Sequence, residues 1–180
     1  MPNSEILVTR ENHICILKFD RPRQKNAINE AMYAALSDAM IAADNDPDVR
    51  VLLITGNEMS FTAGNDLREF LEKPPTGEDS PGFRFLRTLV ALQKPLVAAV
   101  NGAAVGIGTT LLLHCDFVYA GESAVFILPF INLGLCPENA CSLLLPQTAG
   151  YRHAAELLML GEPFDAETAR SLGIINAVCP

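Results

Sequence analysis

Residues 101 to 108 read NGAAVGIG: three glycines inside a stretch, Pro95 to Leu113, that carries no charge. Glycines at this density do chemistry through the main chain, because without a Cβ the backbone N–H groups can approach a ligand closely. The stretch could cradle a phosphate at a helix N-terminus, span a bilayer, or bring backbone close to a substrate. The pair Asn101-Gly102 is a turn signal and Thr109 and Thr110 are polar, so a buried strand followed by a buried helix explains the hydropathy better than a membrane span. The other reactive side chains are scattered. Five cysteines (Cys15, Cys115, Cys136, Cys141, Cys179) show no CxxC pair, and the three histidines do not fall at zinc-ligand spacing. They read as reduced, mostly buried thiols of a cytoplasmic protein, with no metal site. His114, on an apolar helix, reads as a satisfied core histidine rather than a base.

The phosphate-cradle reading can be tested within the sequence. NGAAVGIG has the glycine spacing of the dinucleotide loop of short-chain dehydrogenases, but that loop follows the first strand and here it comes after residue 100. Those enzymes also need Tyr-x-x-x-Lys. The residues four after Tyr33, Tyr119 and Tyr151 are Ser37, Ser123 and Ala155. A glycine motif alone is weak support, and the dehydrogenase reading fails.

The elements that must position such a site follow from periodicity. Ile6–Thr9 and Ile14–Phe19 read as strands joined at Glu11-Asn12, followed by the turn RPRQKN. Residues 28–43 form an amphipathic helix, with Ile28, Met32, Ala35, Leu36, Ala39, Met40 and Ala43 on one face. Val51–Thr55 is continuously apolar, the pattern of a strand buried on both faces. A loop spans 73–82, and Phe83, Leu86, Leu89 and Val90 mark a second helix. Leu96–Val100 is a strand feeding the glycine run, residues 106–114 are expected to be helical, and Phe117–Ala120 and Val125–Ile127 are short strands. The chain is mainly helical from 138. Gly161 stops a helix over 151–160, and Asp165 caps a short helix ending at Gly173. Ile174–Val178 is a last strand. Alternating strands and helices argue α/β with crossover connections. A chain of 180 residues with 49% apolar content suits one domain, and the net charge of −8 argues against nucleic-acid binding. The N-terminus has no cationic segment followed by an apolar one, hence no secretory signal. The chain stops directly after a strand, so residues 1–180 are expected to be the first part of a longer protein.

Taken in order, RPRQKNAIN, FTAGNDL (61–67), KPLVAAVNGAAVGIG (94–108), CDFVYA, LGLCPE (133–138) and LGEPFDAETARSLGIINAV resemble the enoyl-CoA hydratase/isomerase family, also called the crotonase family. The resemblance covers essentially the whole chain. It implies a spiral of ββα units, followed in family members by C-terminal helices that pack in trimers. Those helices lie outside these 180 residues. The implied partner is an acyl-CoA thioester, with no metal or separate cofactor since coenzyme A belongs to the substrate, and the implied assembly of the full-length chain is a homotrimer or dimer of trimers. The family's two oxyanion-hole donors fall on the N–H groups of Asn65, after Gly64, and Ile107, after Gly106. A preorganised donor of this kind is worth about 3–4 kcal/mol. On this reading the side chains at 65 and 107 are loosely constrained, and the helix behind Ile107 adds a favourable dipole. Ala63, Gly64, Asn65, Asp66 and Leu67 resemble the stretch whose backbone meets adenine and thioester, with Asp66 holding the loop through backbone hydrogen bonds. Arg21, Arg23 and Lys25 cluster where the family contacts coenzyme A, and Arg23 and Lys25 are the favoured phosphate partners. The loop 72–82 and Phe83 border the acyl chain. Asp116 is read as capping a helix-to-strand turn and Glu122 as a surface residue.

The resemblance also separates chemistries. Family hydratases use two glutamates, at the positions of Thr110 and Phe130 here, and neither of these residues can activate water. Glu138 stands at the position of the catalytic glutamate of the Δ3,Δ2-enoyl-CoA isomerases, where one carboxylate suffices to move a proton from C2 to C4. Leu133, Leu135, Cys136 and Pro137 surround it and should disfavour its charged form. The plain alternative is an exposed glutamate at a helix start, favoured by the dipole. The sequence thus points to a Δ3,Δ2-enoyl-CoA isomerase of fatty-acid oxidation. A hydratase or another acyl-CoA reaction, and a non-catalytic acyl-CoA-binding relative, stay open.

Overall fold

The computed structural model describes residues 5–73, 77 and 79–180. The chain opens with a hairpin, β1 (Ile6–Glu11) and β2 (Ile14–Phe19). Its turn is one residue later than expected, at Asn12-His13, both at positive φ (48° and 67°). That two-residue geometry matches the twist of the strands it joins. After a 3-10 turn at Pro22–Gln24 comes α1 (Glu30–Asn45), capped by Asn29, whose side chain accepts the Met32 N–H. The predicted apolar stripe is its buried face, with Leu36, Met40 and Ala43 fully enclosed.

The spiral follows as three repeats. The first is β3 (Val51–Thr55), β4 (Ser60–Thr62), α2 (Leu67–Glu72) and α3 (Pro81–Ala91). The second is β5 (Leu96–Val100), β6 (Ala103–Val105) and the short α4 (Ile107–Thr110), continued by a 3-10 turn at Leu111–His114. The third is β7 (Phe117–Gly121) and β8 (Val125–Ile127), then a 3-10 turn at Ile131–Leu133, α5 (Cys141–Ala149) and α6 (Tyr151–Leu160). The chain closes through β9 (Phe164–Asp165), α7 (Ala166–Ser171) and β10 (Ala177–Cys179). Each repeat places its first strand in a six-stranded sheet ordered β1-β2-β3-β5-β7-β10 and its second in a four-stranded sheet ordered β4-β6-β8-β9. Successive repeats pair in parallel in both sheets. This is the ββα spiral that the resemblance implied.

Between the sheets, Phe61, Phe126, Leu52, Ile54, Ala98 and Val118 belong to one buried cluster. Phe126 stacks on Phe164 with centroids 5.6 Å apart, and Phe19 meets Phe61 edge-on at 5.4 Å. Several expectations are corrected here. β3 is fully buried on one face only: Leu52 and Ile54 point inward while Val51, Leu53 and Thr55 are half-buried. The expected helix over 106–114 is one α-turn continued as 3-10. The last strand is Ala177–Cys179, shifted toward the C-terminus. Pro81 and Gly82 belong to α3, behind the Ser80 cap, and not to a loop. The rest of the loop expected at 73–82 falls partly on Pro74, Pro75, Thr76 and Glu78, outside the described residues. Of the five free thiols, Cys15 and Cys141 are buried, Cys115 is half-buried, and Cys136 and Cys179 are exposed, so "mostly buried" does not hold. No described helix is long and apolar enough to cross a membrane.

Candidate active site

A cavity of about 470 Å³ opens where the C-terminal ends of β4, β6 and β8 meet α1 and α3. Three chain segments bring the expected site residues to it. In the first, the turn after β2 holds the chain that follows β4. Asn26 is fully buried, and its side-chain amide donates to the Ser60 and Phe61 carbonyls at 2.9 and 3.2 Å. The Ala63 N–H donates to the Lys25 carbonyl at 3.0 Å. The Ile28 N–H then donates to the Gly64 carbonyl (2.8 Å) and the Asp66 N–H to the Ile28 carbonyl (2.9 Å). In a parallel bridge of this kind the residue between the two bonds turns its own N–H the other way. That residue is Asn65, which lines the cavity. Gly64 has φ +84°, and a Cβ there would sit 2.6 Å from the Val105 carbonyl oxygen. Only glycine fits, on conformational and steric grounds alike.

The second segment runs from β6 into α4. The Gly106 N–H is tied to the Ile127 carbonyl at 2.9 Å, and its carbonyl accepts from Thr109 and Thr110. Ile107 is the first residue of α4, so its N–H has no intrahelical acceptor. It too lines the cavity. A Cβ at Gly106 would meet nothing within 4 Å, so glycine is there for its φ of +55° and not for close approach. The expected helix dipole is small, because it adds over peptides and α4 has four residues.

The third segment is residues 129–138. Glu138 is not at a helix start: it precedes α5 by three residues, in a turn where Asn139 and Ala140 both take left-handed backbone (φ 53° and 52°). Non-glycine residues in that region cost about 1–3 kcal/mol each, so the surroundings must hold them. His114, expected to be a satisfied core histidine, supplies part of that hold: its Nε2 lies 2.9 Å from the Asn139 carbonyl and donates to it. Burial pushes the Glu138 carboxyl up to about 7, and its Oε1 is buried with no hydrogen-bond partner. Cys136 lines the cavity, while burial pushes the Cys141 thiol up to about 12 and leaves it unreactive.

The cavity therefore brings together Glu138, Asn65, Ile107, Ala63, Gly64, Asp66, Leu67 and Gly106. It does not include Arg23 or Lys25, which are exposed on the turn beside it. Arg21 is engaged elsewhere: its Nη1 reaches Asp66 Oδ2 at 2.7 Å and its Nε lies 3.0 Å from Glu5 Oε1. Asp66 also caps α2 by accepting from the Arg68 and Glu69 N–H groups. The Arg21 hydrogen bond holds its carboxyl below the usual range. Replacing Arg21 by Met should destabilise the protein by about 1–2 kcal/mol at pH 7, because Asp66 and the more exposed Glu5 each lose a charged partner while keeping their other hydrogen bonds. Urea denaturation checks this. Acidification should shrink the difference, since the Asp66 contribution present above its unfolded pKa is lost as the carboxyl protonates. Asp116 is corrected: its side chain accepts the Leu96 N–H at 2.8 Å, fixing the start of β5 rather than capping a helix.

The side chains of Asn65 and Ile107 are not loosely held. Ile107 is in the core, and the Tyr33 hydroxyl donates to Asn65 Oδ1. Lys73, Ser80, Gly82 and Phe83, from the stretch expected to border the acyl chain, line the cavity, and so do Tyr33, Phe70 and Leu86, which were not singled out as site residues from the sequence. The signal available for Tyr33 was its place one residue after Met32 on the inward face of α1. Thr110 is fully buried, its hydroxyl has no hydrogen-bond partner, and it is not in the lining, whereas Phe130 is. Among the described residues no three His, Cys, Asp or Glu side chains form a group that could hold a metal.

A family model described as enoyl-CoA hydratase/isomerase matches residues 9–180. The chain belongs to the enoyl-CoA hydratase/isomerase family. Within it, the chain is 39% identical over 179 residues to the 2,3-dehydroadipyl-CoA hydratase of Escherichia coli K12, covering 98% of this chain and 70% of the relative. It is 37% identical over 182 residues to human enoyl-CoA delta isomerase 2, covering 97% of this chain and 46% of that protein. Among solved structures, Pseudomonas aeruginosa OdaA superposes with a TM-score of 0.95 at 50% identity, over 98% of this chain and 71% of that one. An enoyl-CoA hydratase/isomerase from Pseudoalteromonas atlantica T6c gives a TM-score of 0.93 at 42% identity, over 97% and 69%. The fold is thus the one shared by this family of acyl-CoA hydratases and isomerases, and relatives of both reaction types lie at nearly equal identity.

Proposed function

We propose that the chain is the site-bearing part of a Δ3,Δ2-enoyl-CoA isomerase. The observation that carries this reading is Glu138, a carboxylate raised to about 7 by burial, on the same cavity as the outward-turned N–H groups of Asn65 and Ile107. A 3-enoyl-CoA enters with its thioester oxygen on those two N–H groups. Glu138 takes a proton from C2, and the electron pair moves into the carbonyl to give a dienolate. The two N–H groups hold the new oxyanion in a mostly apolar cavity, where such bonds are stronger than in water. Glu138 then returns the proton to C4, leaving the conjugated 2-enoyl thioester. No cofactor is required. A base with a pKa near the working pH is ionised often enough to act and is still a competent acid in the return step. Arg23 and Lys25, exposed on the turn whose Lys25 carbonyl binds Ala63, are the cations this reading assigns to the phosphates of coenzyme A.

A hydratase is the second reading, favoured by the relationship to the Escherichia coli hydratase. It would have to activate water with Glu138 alone, since Thr110 and Phe130 bring no carboxylate. Incubation with 3-hexenoyl-CoA should raise the ultraviolet absorbance of the conjugated thioester. Loss of that absorbance from crotonyl-CoA, without the first reaction, would make the hydratase reading correct. The pH profile is a further check. Glu138 must start ionised, so kcat/KM for 3-hexenoyl-CoA should fall about tenfold per pH unit below about 7 and level off above it. A profile flat from pH 5 to 8 would exclude Glu138 as the base.

A further inference from the structure

Asn65 lies on a segment with little regular structure. Toward β2 its peptide is fixed by the two bonds to Ile28, and on the other side its side chain is held by Tyr33. Tyr33 is itself rigid. Its N–H donates to the Asn29 carbonyl in the first turn of α1, and its own carbonyl accepts the Ser37 hydroxyl at 2.8 Å. Its ring packs on Phe85 with centroids 5.3 Å apart, and the first turn of α3 closes over it at Gly82. The hydroxyl of a buried tyrosine needs a partner, and Asn65 Oδ1 provides one.

We propose that Tyr33 is a positioning residue for the reaction. By gripping the Asn65 side chain, its hydroxyl adds a third tie to the two Ile28 bonds, limits rocking of the Asn65 peptide and so keeps that N–H aimed at the thioester oxygen. Burial, and then the charge of Glu138, push the phenol of Tyr33 well above its ordinary value, so it stays a donor at every pH at which the enzyme works. The physical basis is the angular dependence of hydrogen bonds: a donor that rocks by tens of degrees loses most of its strength just as charge develops on the oxygen. The effect belongs to the transition state more than to the bound substrate, because the thioester oxygen becomes anionic only in the former. The proposal rests on the oxyanion role of Asn65 in the preceding reading.

The test uses Tyr33→Phe, which keeps the ring and its packing, in the full-length protein. With 3-hexenoyl-CoA, kcat should fall about tenfold while KM changes less than about twofold. Asn65→Ala, which keeps the N–H and removes Oδ1, should fall by a similar factor, and the double variant should be no worse than either single one. Hexanoyl-CoA labelled with carbon-13 at the thioester carbonyl gives a readout without turnover. Its infrared carbonyl band should shift to lower frequency on binding to the wild type and recover part of that shift in Tyr33→Phe. Independent, multiplying losses in the two variants, or an unchanged kcat and band in Tyr33→Phe, would overturn the proposal, as would the absence of any band shift in the wild type. If the wild type turns over neither 3-hexenoyl-CoA nor crotonyl-CoA, yet shows the band shift and Tyr33→Phe relaxes it, the reaction assignment fails and the role of Tyr33 stands.

Discussion

Glu138→Gln should lower isomerisation of 3-hexenoyl-CoA by about 10³-fold or more while leaving hexanoyl-CoA affinity within a few-fold of wild type. General acid–base groups contribute typically 10²–10⁴-fold, and in the proposed mechanism one carboxylate serves as base in the first step and acid in the second, so both would be lost together. The amide is nearly the same size and does not disturb the cavity walls. Absorbance of the conjugated thioester measures the rate, and calorimetric titration measures the binding. A variant that retains a tenth of the activity would mean that another group moves the proton. The same variant should be more stable than wild type at pH 8. Glu138 titrates at about 7 in the folded chain against an ordinary value of 4.5, so the folded state binds the extra proton between those values. The stability from that proton is complete below about 4.5 and is lost as pH rises through about 7. At roughly 1.4 kcal/mol per unit the wild type carries a penalty on the order of 3 kcal/mol above pH 7 that glutamine lacks. In thermal unfolding the Tm of Glu138→Gln should lie several degrees higher at pH 8 and converge with wild type near pH 4. A catalytic carboxylate held at a cost in stability is the pattern expected of a working site.

Gly64→Ala should damage stability and rate together. The added Cβ would meet the Val105 carbonyl oxygen at 2.6 Å, and the residue would have to keep φ +84°. Both atoms in that contact are tied to backbone, so neither can move without shifting β6 or breaking the Ile28 bonds that orient Asn65. We expect a loss of about 3 kcal/mol or more in stability. A kcat loss of about 10²–10³-fold, the size seen when one oxyanion donor is removed, should accompany it. Gly150→Ala separates conformational from steric cost. Gly150, between α5 and α6, has φ +80° but open space around its Cβ direction. It should lose about 1–2 kcal/mol and keep its kcat. Equal stability losses at the two positions would show that the contact with Val105 is not what demands glycine at 64.

The elements with strong periodicity were legible in the sequence. The hairpin, α1, the spans of β3 and β5, the stop at Gly161 and the Asp165 cap, whose side chain accepts the Thr168 N–H, are all where the pattern put them, to within a residue or two. Each rests on a local cause: side-chain alternation, a turn residue or a cap. Of the second sheet β8 was read at its observed span, whereas β4, β6 and β9, two or three residues long, were not. A strand of that length is defined by its neighbours and not by its own pattern. For the same reason α2 was missed: it is six residues held by the Asp66 cap, and none of its residues is buried.

At the site the division is similar. The positions of Glu138, Asn65 and Ile107 came from ordered motifs spread over 74 positions of chain, which a resemblance can register without any geometry. What the fold alone decided is their environment. Burial, not a helix start, sets the basicity of Glu138, and the turn that carries it is pinned from outside by His114. Arg21 looked like a free cation beside Arg23 and Lys25, but Glu5 and Asp66, 16 residues before it and 45 after, take its charge. Tyr33 looked like one more core residue of α1, and only the meeting of α1 with the chain after β4 puts its hydroxyl on Asn65. Sequence determined which residue types and backbone conformations this protein could use, because those are local properties. Which groups meet, and which are kept from water, are properties of contacts between distant segments, and these only the tertiary structure decided.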